Sequence, residues 1–266
     1  MNPSTLIGMV GSVALLGIAL FFTSDRPGIF LDPPAIAIVL GGTLAATFLS
    51  YPISELRRVF ALVGRAMREH KVDTRHDIEE LVGLSRLWIQ GDLQAVEKAL
   101  SCVTNPFLRT GVQMVLDRTP EEEIIDLMQW RIAHLRQREA AEAQLFRVMA
   151  AYAPAFGMIG TLLGLINLMG LVGGGDIGTM SAQLGIAFVA TFYGVLLAHL
   201  VFKPIAVKLE RRTEQRLVLM NMILEGISMM CVGRSPALMR ETLKAFVAQY
   251  DDEICDGKGT ARPQAR

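Results

Sequence analysis

Four long apolar windows alternate with charged segments along this chain. None of the four contains Asp, Glu, Lys or Arg. Each is long enough for a membrane-crossing helix, which needs about 20 apolar residues to cross roughly 30 Å of hydrocarbon. Helices are the natural form, because a backbone in lipid has to satisfy its own hydrogen bonds. We therefore predict an all-α, four-transmembrane-helix integral membrane protein, with helices at residues 1–24, 33–54, 148–172 and 177–202.

The polar segments between these windows differ greatly in length. Residues 25–32 and 173–176 are short turns, whereas residues 55–147 and 203–266 are long and charged. Of the 26 Lys and Arg residues, only Arg26 lies in a short turn. Because Lys and Arg accumulate in cytoplasmic flanks, the pattern predicts a cytoplasmic (inner) membrane protein with both termini in the cytoplasm. The first window lacks the basic start of a secretory signal peptide, so we expect it to be retained.

The two long segments carry helical patterns. Thr119, Pro120 and Glu122 form a helix-start pattern, and apolar residues over 124–135 repeat at helical spacing. This run continues without a breaker into the third window, which predicts one long helix. The predicted domains are a helical cytoplasmic domain at 55–147, a helical cytoplasmic tail at 203–256 and a small, polar, disordered end at 257–266.

Composition narrows the possible classes of function. The net charge is zero, so no basic surface signal points to nucleic acid. Cys102, Cys231 and Cys255 lie far apart, and the four histidines show no metal-ligand spacing, so we expect neither a disulfide framework nor a metal site. The sequence also lacks Walker A, G-x-S-x-G and H-E-x-x-H motifs. We therefore expect a protein that is not an enzyme and has no cofactor.

Polar and small residues inside the third and fourth windows are the candidates for function. Thr161 and Thr191 either bond carbonyls of their own helices or line a polar path between the helices. Gly157, Gly160 and Gly164 let another helix approach closely, either from the same subunit or from another chain. Ion relays usually need a carboxylate in the membrane, and none of the four windows has one. A coupled ion would therefore need a carboxylate from a second chain.

Two prolines lie near the predicted cytoplasmic ends of these helices, Pro154 in the third and Pro204 after the fourth. Proline removes a helical hydrogen bond and kinks the chain. Membrane helices often tolerate such kinks without any special role. The alternative interpretation is that these kinks convert an event in the membrane into motion of the cytoplasmic mass.

Four collinear stretches carry a family resemblance. They are IFLDPPAIAIVLGG (29–42), NPFLRTGVQMVLDRTPEEEI (105–124), APAFGMIGTLLGL (153–165) and ATFYGVLLAHLVFKPIA (190–206). They resemble the flagellar motor stator A subunits of the MotA/PomA family, which belongs with the ExbB and TolQ proteins. The resemblance extends over about residues 6–250. Four predicted helices rather than three distinguish this chain from ExbB and TolQ.

The resemblance implies an ion-conducting, torque-generating subunit of a bacterial motor. In that family five A subunits surround two B subunits, and a MotB/PomB-like B subunit supplies the essential aspartate. The flow of Na⁺ or H⁺ turns the A ring, which pushes on a rotor switch protein of the FliG type. The implied partners are therefore a B subunit, further copies of this chain as a pentamer, the rotor, and lipid of the bacterial inner membrane.

The resemblance also assigns roles by motif position. Pro154 and Pro204 match two functional prolines that couple ion flow to torque, and Thr161 and Thr191 match threonines of the ion path. A Thr at position 161 is typical of sodium-driven members, which favours sodium over protons. Asp32 matches an acidic residue at the periplasmic mouth, and it is also placed to cap the helix that begins at Pro33.

The rotor contact matches the family less closely. The family has a basic residue shortly before a Gly and then a Glu, and this chain keeps Gly91 and Glu97. Trp88 stands near the expected basic position, and Arg86 is the nearest Arg. Glu97 and Arg86 are therefore the predicted rotor-interface residues. An alternative role is an ion-driven energiser of outer-membrane transport or gliding, similar to ExbB or TolQ. The neighbouring reading frame would distinguish the two roles.

Overall fold

The computed structural model describes residues 27–66, 74–171 and 177–256, together with isolated helical positions 8, 11, 14, 15, 17, 18 and 22. These ranges are helical and contain no strand. A short 3-10 turn, Pro27–Phe30, precedes the first long helix. Most of the helix predicted at 1–24, the turn 173–176 and the end 257–266 lie outside the described residues. The long helices are α1 Pro33–Ser50, α2 Ile53–Ala66, α3 Thr74–Ile89, α4 Leu93–Cys102, α5 Pro106–Leu116, α6 Glu121–Leu171, α7 Ile177–Cys231 and α8 Pro236–Asp256.

Local sequence explains where several helices begin and end. Asp32 caps α1 by accepting a hydrogen bond of 3.1 Å from the Ala35 amide, and prolines occupy the first positions. The same helix ends at Ser50, four residues before the predicted end of this window. Tyr51 is extended there, because the residue before Pro52 is disfavoured in the helical region. A new helix, α2, then begins at Ile53.

The longest helices carry the apolar windows. The α6 helix runs for 51 residues, and its first turn contains Glu121, Glu122 and Glu123, which interact favourably with the positive end of the helix dipole. The backbone bond from Ile124 to Pro120, 3.1 Å, closes that first turn. Within the described residues, α1, α6 and α7 are long and apolar enough to cross a membrane.

Two of the described helices contain π-helical turns, in which backbone hydrogen bonds join residues five positions apart instead of four. One lies in α1 at Ala37–Gly41, and the other lies in α7 at Leu197–Phe202. In α1, the Thr43 hydroxyl donates a 2.6 Å hydrogen bond to the Val39 carbonyl within this turn. Such turns often occur at functional sites in helices.

The chain divides into two compact units. The first unit comprises Met1–His70 and Glu139–Arg211, and the second comprises Lys71–Arg138 and Arg212–Arg266. In the first unit, two apolar clusters hold α1, α2, α6 and α7 together. In the second unit, one large cluster joins α3, α4 and α5 with α8 and with parts of α6 and α7.

The second unit owes its turns to capping residues. Asp92 caps α4 through the Ala95 amide at 3.0 Å, and Asn105 caps α5 ahead of Pro106. Gly91 has φ of +78°, a conformation that favours glycine, in the turn that joins α3 to α4. These caps are the sequence features that separate three helices within residues 74–116.

Candidate functional site

The α6 and α7 helices pack closely through small residues. A Cβ atom placed on Gly160 would lie 2.5 Å from the Ala190 Cβ, and one on Gly164 would lie 2.8 Å from the Ala187 Cβ. On Gly157, a Cβ would lie 3.1 Å from the Ala190 carbonyl oxygen. The three glycines therefore make close contact with the neighbouring helix of the same chain. Of the two readings that the sequence left open for them, the structure shows packing within the subunit.

The two predicted ion-path threonines lie along this contact. The Thr161 hydroxyl donates a 2.6 Å hydrogen bond to the Met158 carbonyl of its own helix. The Thr191 hydroxyl instead donates across the contact to the Gly157 carbonyl on α6, at 3.4 Å. Met158 and Gly157 are consecutive residues of α6, so the two hydroxyls bond to neighbouring carbonyls of the same helix. A hydroxyl that donates its proton in this way keeps oxygen lone pairs for a cation.

The α1 helix occupies one flank of the α6–α7 pair. Ala35 and Val39 of α1 pack against Val189 and Ala190 of α7. The Tyr193 hydroxyl donates to the carbonyl of Phe30, just before α1. These contacts tie the start of α1 to the turn of α7 that carries Thr191.

The two threonines point away from α1. Val189 and Tyr193 of α7 face α1. Thr191 lies two residues, about half a helical turn, from each of them, so it lies on the opposite face of α7. Thr161 likewise lies five residues, about 140° around the helix, from Phe156, whose ring packs over Gly42 of α1. The flank that carries both threonines also exposes large apolar side chains in this single chain, among them Met158, Leu162, Phe188 and Val195.

Asp32 is half-buried at the start of α1 and uses its carboxylate as the cap of that helix. Two residues before it, the Phe30 carbonyl accepts the hydrogen bond from Tyr193. The structure therefore shows the capping role of Asp32, which the sequence allowed together with a role at the periplasmic mouth.

The two prolines lie at different levels along the helix pair. A Cβ placed on Gly194 would lie 3.1 Å from the Pro154 Cα and 2.6 Å from the Ala153 carbonyl oxygen. Pro204 follows Gly194 by ten residues, or about 15 Å of helix, and lies two residues after the end of the π-helical turn at Phe202. The α6 helix continues through Pro154 despite the lost backbone bond.

Charged residues join the helices beyond these prolines, on the side away from the two threonines. Arg147 donates two hydrogen bonds to Glu210, with distances of 2.6 and 2.8 Å. These hydrogen bonds and the charge of Glu210 raise the pKa of the Arg147 guanidinium. Arg58 of α2 lies 3.7 Å from the buried carboxylate of Glu142 on α6. In the sequence these arginines indicate only the orientation of the chain, since no local spacing connects residues 63 positions apart such as Arg147 and Glu210.

The predicted rotor-interface residues lie on consecutive helices of the second unit. Arg86 is in the last turn of α3 and Glu97 is within α4, and both are exposed. Ile89 and Leu93 flank the turn between these helices and expose apolar side chains, whereas Trp88 packs partly against the core. In the parts of the chain that the structure describes, no cluster of His, Cys, Asp and Glu is arranged to hold a metal ion.

Known proteins match this chain over nearly its whole length. Residues 99–222 match the MotA/TolQ/ExbB proton channel family. The uncharacterized protein YtxD of Bacillus subtilis is 31% identical over 247 residues, covering 93% of this chain and 88% of that protein. Motility protein A of Borreliella burgdorferi is 29% identical over 252 residues, covering 94% and 96%.

A solved structure has the same fold. The flagellar MotAB stator complex from Bacillus subtilis contains a chain that superimposes with a TM-score of 0.83 at 26% identity, covering 93% of this chain and 96% of that chain. The close α6–α7 contact and its two hydroxyls thus occur in a chain whose full length aligns with these relatives. This chain belongs to the MotA/TolQ/ExbB proton channel family.

Proposed function

We propose that this chain is the torque-generating A subunit of a bacterial flagellar motor stator, which couples ion flow to rotation of the rotor switch ring. The observation that carries the proposal is the exposed flank of the α6–α7 pair, with two hydroxyls and no carboxylate. Relatives named motility protein A, and the MotAB stator structure aligned over nearly the whole chain, support it.

The proposed ion path runs along that flank. Thr161 and Thr191 offer hydroxyl oxygens beside consecutive carbonyls of α6, and their helices lack Asp and Glu within 148–172 and 177–202. A cation relay needs a carboxylate, so the aspartate comes from a B subunit of the MotB/PomB type that packs on this flank. The large apolar side chains exposed there suit such a helix. Hydroxyl oxygens ligate Na⁺ directly, which favours sodium over protons as the transported ion.

The assembly and topology follow the family. Four transmembrane helices place both termini in the cytoplasm of the bacterial inner membrane, and five copies of this chain surround two B subunits. Asp32 lies at the periplasmic mouth of the path. Pro154 and Pro204 act as hinges, and Glu97 and Arg86 contact a switch protein of the FliG type.

Complementation tests this function. This chain is expressed with its cognate B subunit in a strain that lacks stators, and swimming is measured against external sodium at constant proton-motive force. We expect swimming to be restored and to depend on sodium. Failure to restore swimming, with both subunits present in the membrane, would contradict the proposal. Swimming that does not depend on sodium would reject sodium as the transported ion but would leave the stator function in place.

A matched pair of variants then tests the path. Thr191→Val removes a hydroxyl from the proposed path and should lower ion flux roughly tenfold, equivalent to losing one hydrogen bond of about 1.4 kcal/mol. Thr110→Val removes a hydroxyl that bonds its own helix in the second unit, at 2.9 Å to the Pro106 carbonyl, and should leave ion flux unchanged. Thr161→Ala should shift the preference between Na⁺ and H⁺. A flux in Thr191→Val as high as that in Thr110→Val, with an unchanged ion preference in Thr161→Ala, would exclude this path.

A further inference from the structure

The Arg147–Glu210 pair joins α6 to α7 at the protein surface through two hydrogen bonds, and its side chains are 57% and 32% exposed. The Nε and Nη2 atoms of Arg147 donate separately to Oε1 and Oε2 of Glu210, at 2.6 and 2.8 Å. Such a two-point bond fixes both the distance and the orientation of its partners, whereas a single contact fixes only the distance. The nearby Arg58–Glu142 pair, with one contact of 3.7 Å, lacks this geometry.

The Arg147–Glu210 pair lies where it can connect the helix segments beyond the two prolines. Arg147 precedes Pro154 by seven residues, and Glu210 follows Pro204 by six. Both charges therefore lie beyond the prolines on the side away from the paired threonines. Each helix has a weakened backbone at its proline, and α7 has a π-helical turn, Leu197–Phe202, as well. A bend at one proline alone would move one segment past the other unless a bond connects them.

The apolar cluster around the pair holds the helices together without a directional bond. Five of its twelve buried residues are alanines, which contribute small side chains to the contact. Larger residues, Phe146 and Phe202 among them, supply burial to the same cluster. Apolar burial depends on area and has no preferred direction. The two-point bond adds a directional contact between α6 and α7 to this apolar packing. The alanines of the cluster are Ala143, Ala150, Ala153, Ala198 and Ala206.

We propose that Arg147 and Glu210 are a positioning pair, which locks the register of α6 and α7 beyond their prolines so that both segments move as one lever. This proposal rests on the proposed stator function, since it concerns how bending at the prolines becomes torque. The pair touches neither the ion nor the threonines, so it acts on torque through the helices and not on ion binding.

Charge exchange in the full stator complex tests the pair. The variants are Arg147→Glu, Glu210→Arg and the double exchange, each expressed with the cognate B subunit. Stators are recruited one at a time to tethered motors, and the speed step per stator is measured at high load while fluorescence counts the stators. We expect each single reversal to reduce the step roughly threefold or more, and the double exchange to recover most of it, as coupled charges do.

Counting stators separates positioning from folding. A folding defect lowers the number of stators in the membrane, whereas loss of positioning lowers the torque of each stator that assembles. Arg147→Lys keeps the charge but loses the two-point bond, so we expect an intermediate step at normal abundance. Arg138→Glu and Glu214→Arg, exposed charges on the same two helices, serve as controls and should leave the step unchanged.

Two results would overturn the proposal. One is a wild-type speed step in Arg147→Glu or in Arg147→Lys, since the two-point bond would then be dispensable. The other is a double exchange that is no better than either single reversal while the stator number stays normal. Restoration of rotation by the wild-type chain is measured first, so failure of the stator function itself would be recognised before any variant is compared.

Discussion

Glycines at the α6–α7 contact of the first unit and glycines in the second unit face different kinds of neighbour. In the first unit, glycines on α6 and α7 let one helix approach the backbone of another, as where Gly194 meets the Ala153 carbonyl. In the second unit, Gly111 lies beneath the tip of the Ile227 side chain, and Gly226 lies beneath Leu81. Glycine thus makes room for a neighbouring backbone at the α6–α7 contact. It makes room for a large side chain in the second unit, and also at Gly42 of the first unit, which lies beneath the Phe156 ring.

This difference follows from the solvent that each unit is built for. In lipid, burying an apolar side chain between helices brings no hydrophobic gain in free energy, because the lipid is equally apolar. Close backbone contact and hydrogen bonds therefore hold the helices together. In water, burial of large apolar side chains is the main driving force. The second unit accordingly buries Leu108, Met222, Ile223 and Ile227 completely. The first unit leaves many large side chains of α6 and α7 exposed.

The largest expected effect comes from emptying the core of the second unit. Ile227→Ala removes a fully buried side chain that covers Gly111, and we expect a loss of about 2–5 kcal/mol in unfolding free energy. Both tryptophans, Trp88 and Trp130, lie in this unit, so their fluorescence during urea unfolding in detergent reports on it.

Leu238→Ala is the control for this substitution, since Leu238 is exposed on α8. It should change stability by less than about 0.5 kcal/mol. Equal losses for the two variants would show that the second unit is not stabilised by its buried aliphatic side chains.

The next largest effect should come from the first unit. Gly194→Ala places a methyl group 2.6 Å from the Ala153 carbonyl oxygen and 3.1 Å from the Pro154 Cα, both backbone atoms that cannot rotate away. We expect a cost of roughly 1–3 kcal/mol, separation of α6 from α7, and loss of swimming. Thermal unfolding by circular dichroism and swimming speed measure these effects.

Gly185→Ala is the matched control on the same helix, because a Cβ there meets nothing within 4 Å. It should preserve both stability and swimming. If Gly194→Ala swims as well as Gly185→Ala, close approach of the two helices is not needed for function.

The sequence predicted the three long apolar helices that the structure describes, because long uncharged windows mark them. It left open whether Gly157, Gly160 and Gly164 pack within the chain or against another chain. The short connection at 173–176 was the available signal, since a tight turn makes consecutive helices antiparallel neighbours. By contrast, no residue type marks the π-helical turns at Ala37–Gly41 and Leu197–Phe202, which depend on tertiary packing.

The residues of the candidate site were proposed from the sequence, whereas their geometry could not be. Thr161 and Thr191 were identified by position, yet the bond of Thr191 to Gly157 requires knowledge of the register between two helices. The same holds for Arg147 and Glu210, which pair only because that register brings their side chains together. Pair contacts over long sequence separations depend on helix packing, which a single sequence does not encode locally.

The smallest effect, and the sharpest test of the comparison, is expected for Gly111→Ala in the second unit. Its methyl group would meet the Ile227 Cδ1 at 2.1 Å, and the Met128 Cε and Sδ at 3.0 Å. These atoms are ends of flexible side chains, so they can move at modest cost. Alanine also gains about 1 kcal/mol over glycine within a helix. We expect the two terms nearly to cancel, leaving a change within about 1 kcal/mol.

Gly83→Ala supplies the reference for Gly111→Ala, because it is a helical position where a Cβ meets nothing within 4 Å and shows the propensity gain alone. The difference between these two variants, measured by urea unfolding, therefore isolates the packing cost at Gly111. That packing cost should be smaller than the difference in stability between Gly194→Ala and Gly185→Ala. The reason is that the end of a side chain can move aside, whereas a backbone carbonyl cannot. A larger packing cost at Gly111 than at Gly194 would mean that a backbone neighbour does not restrict a glycine position more strongly than a side-chain neighbour does.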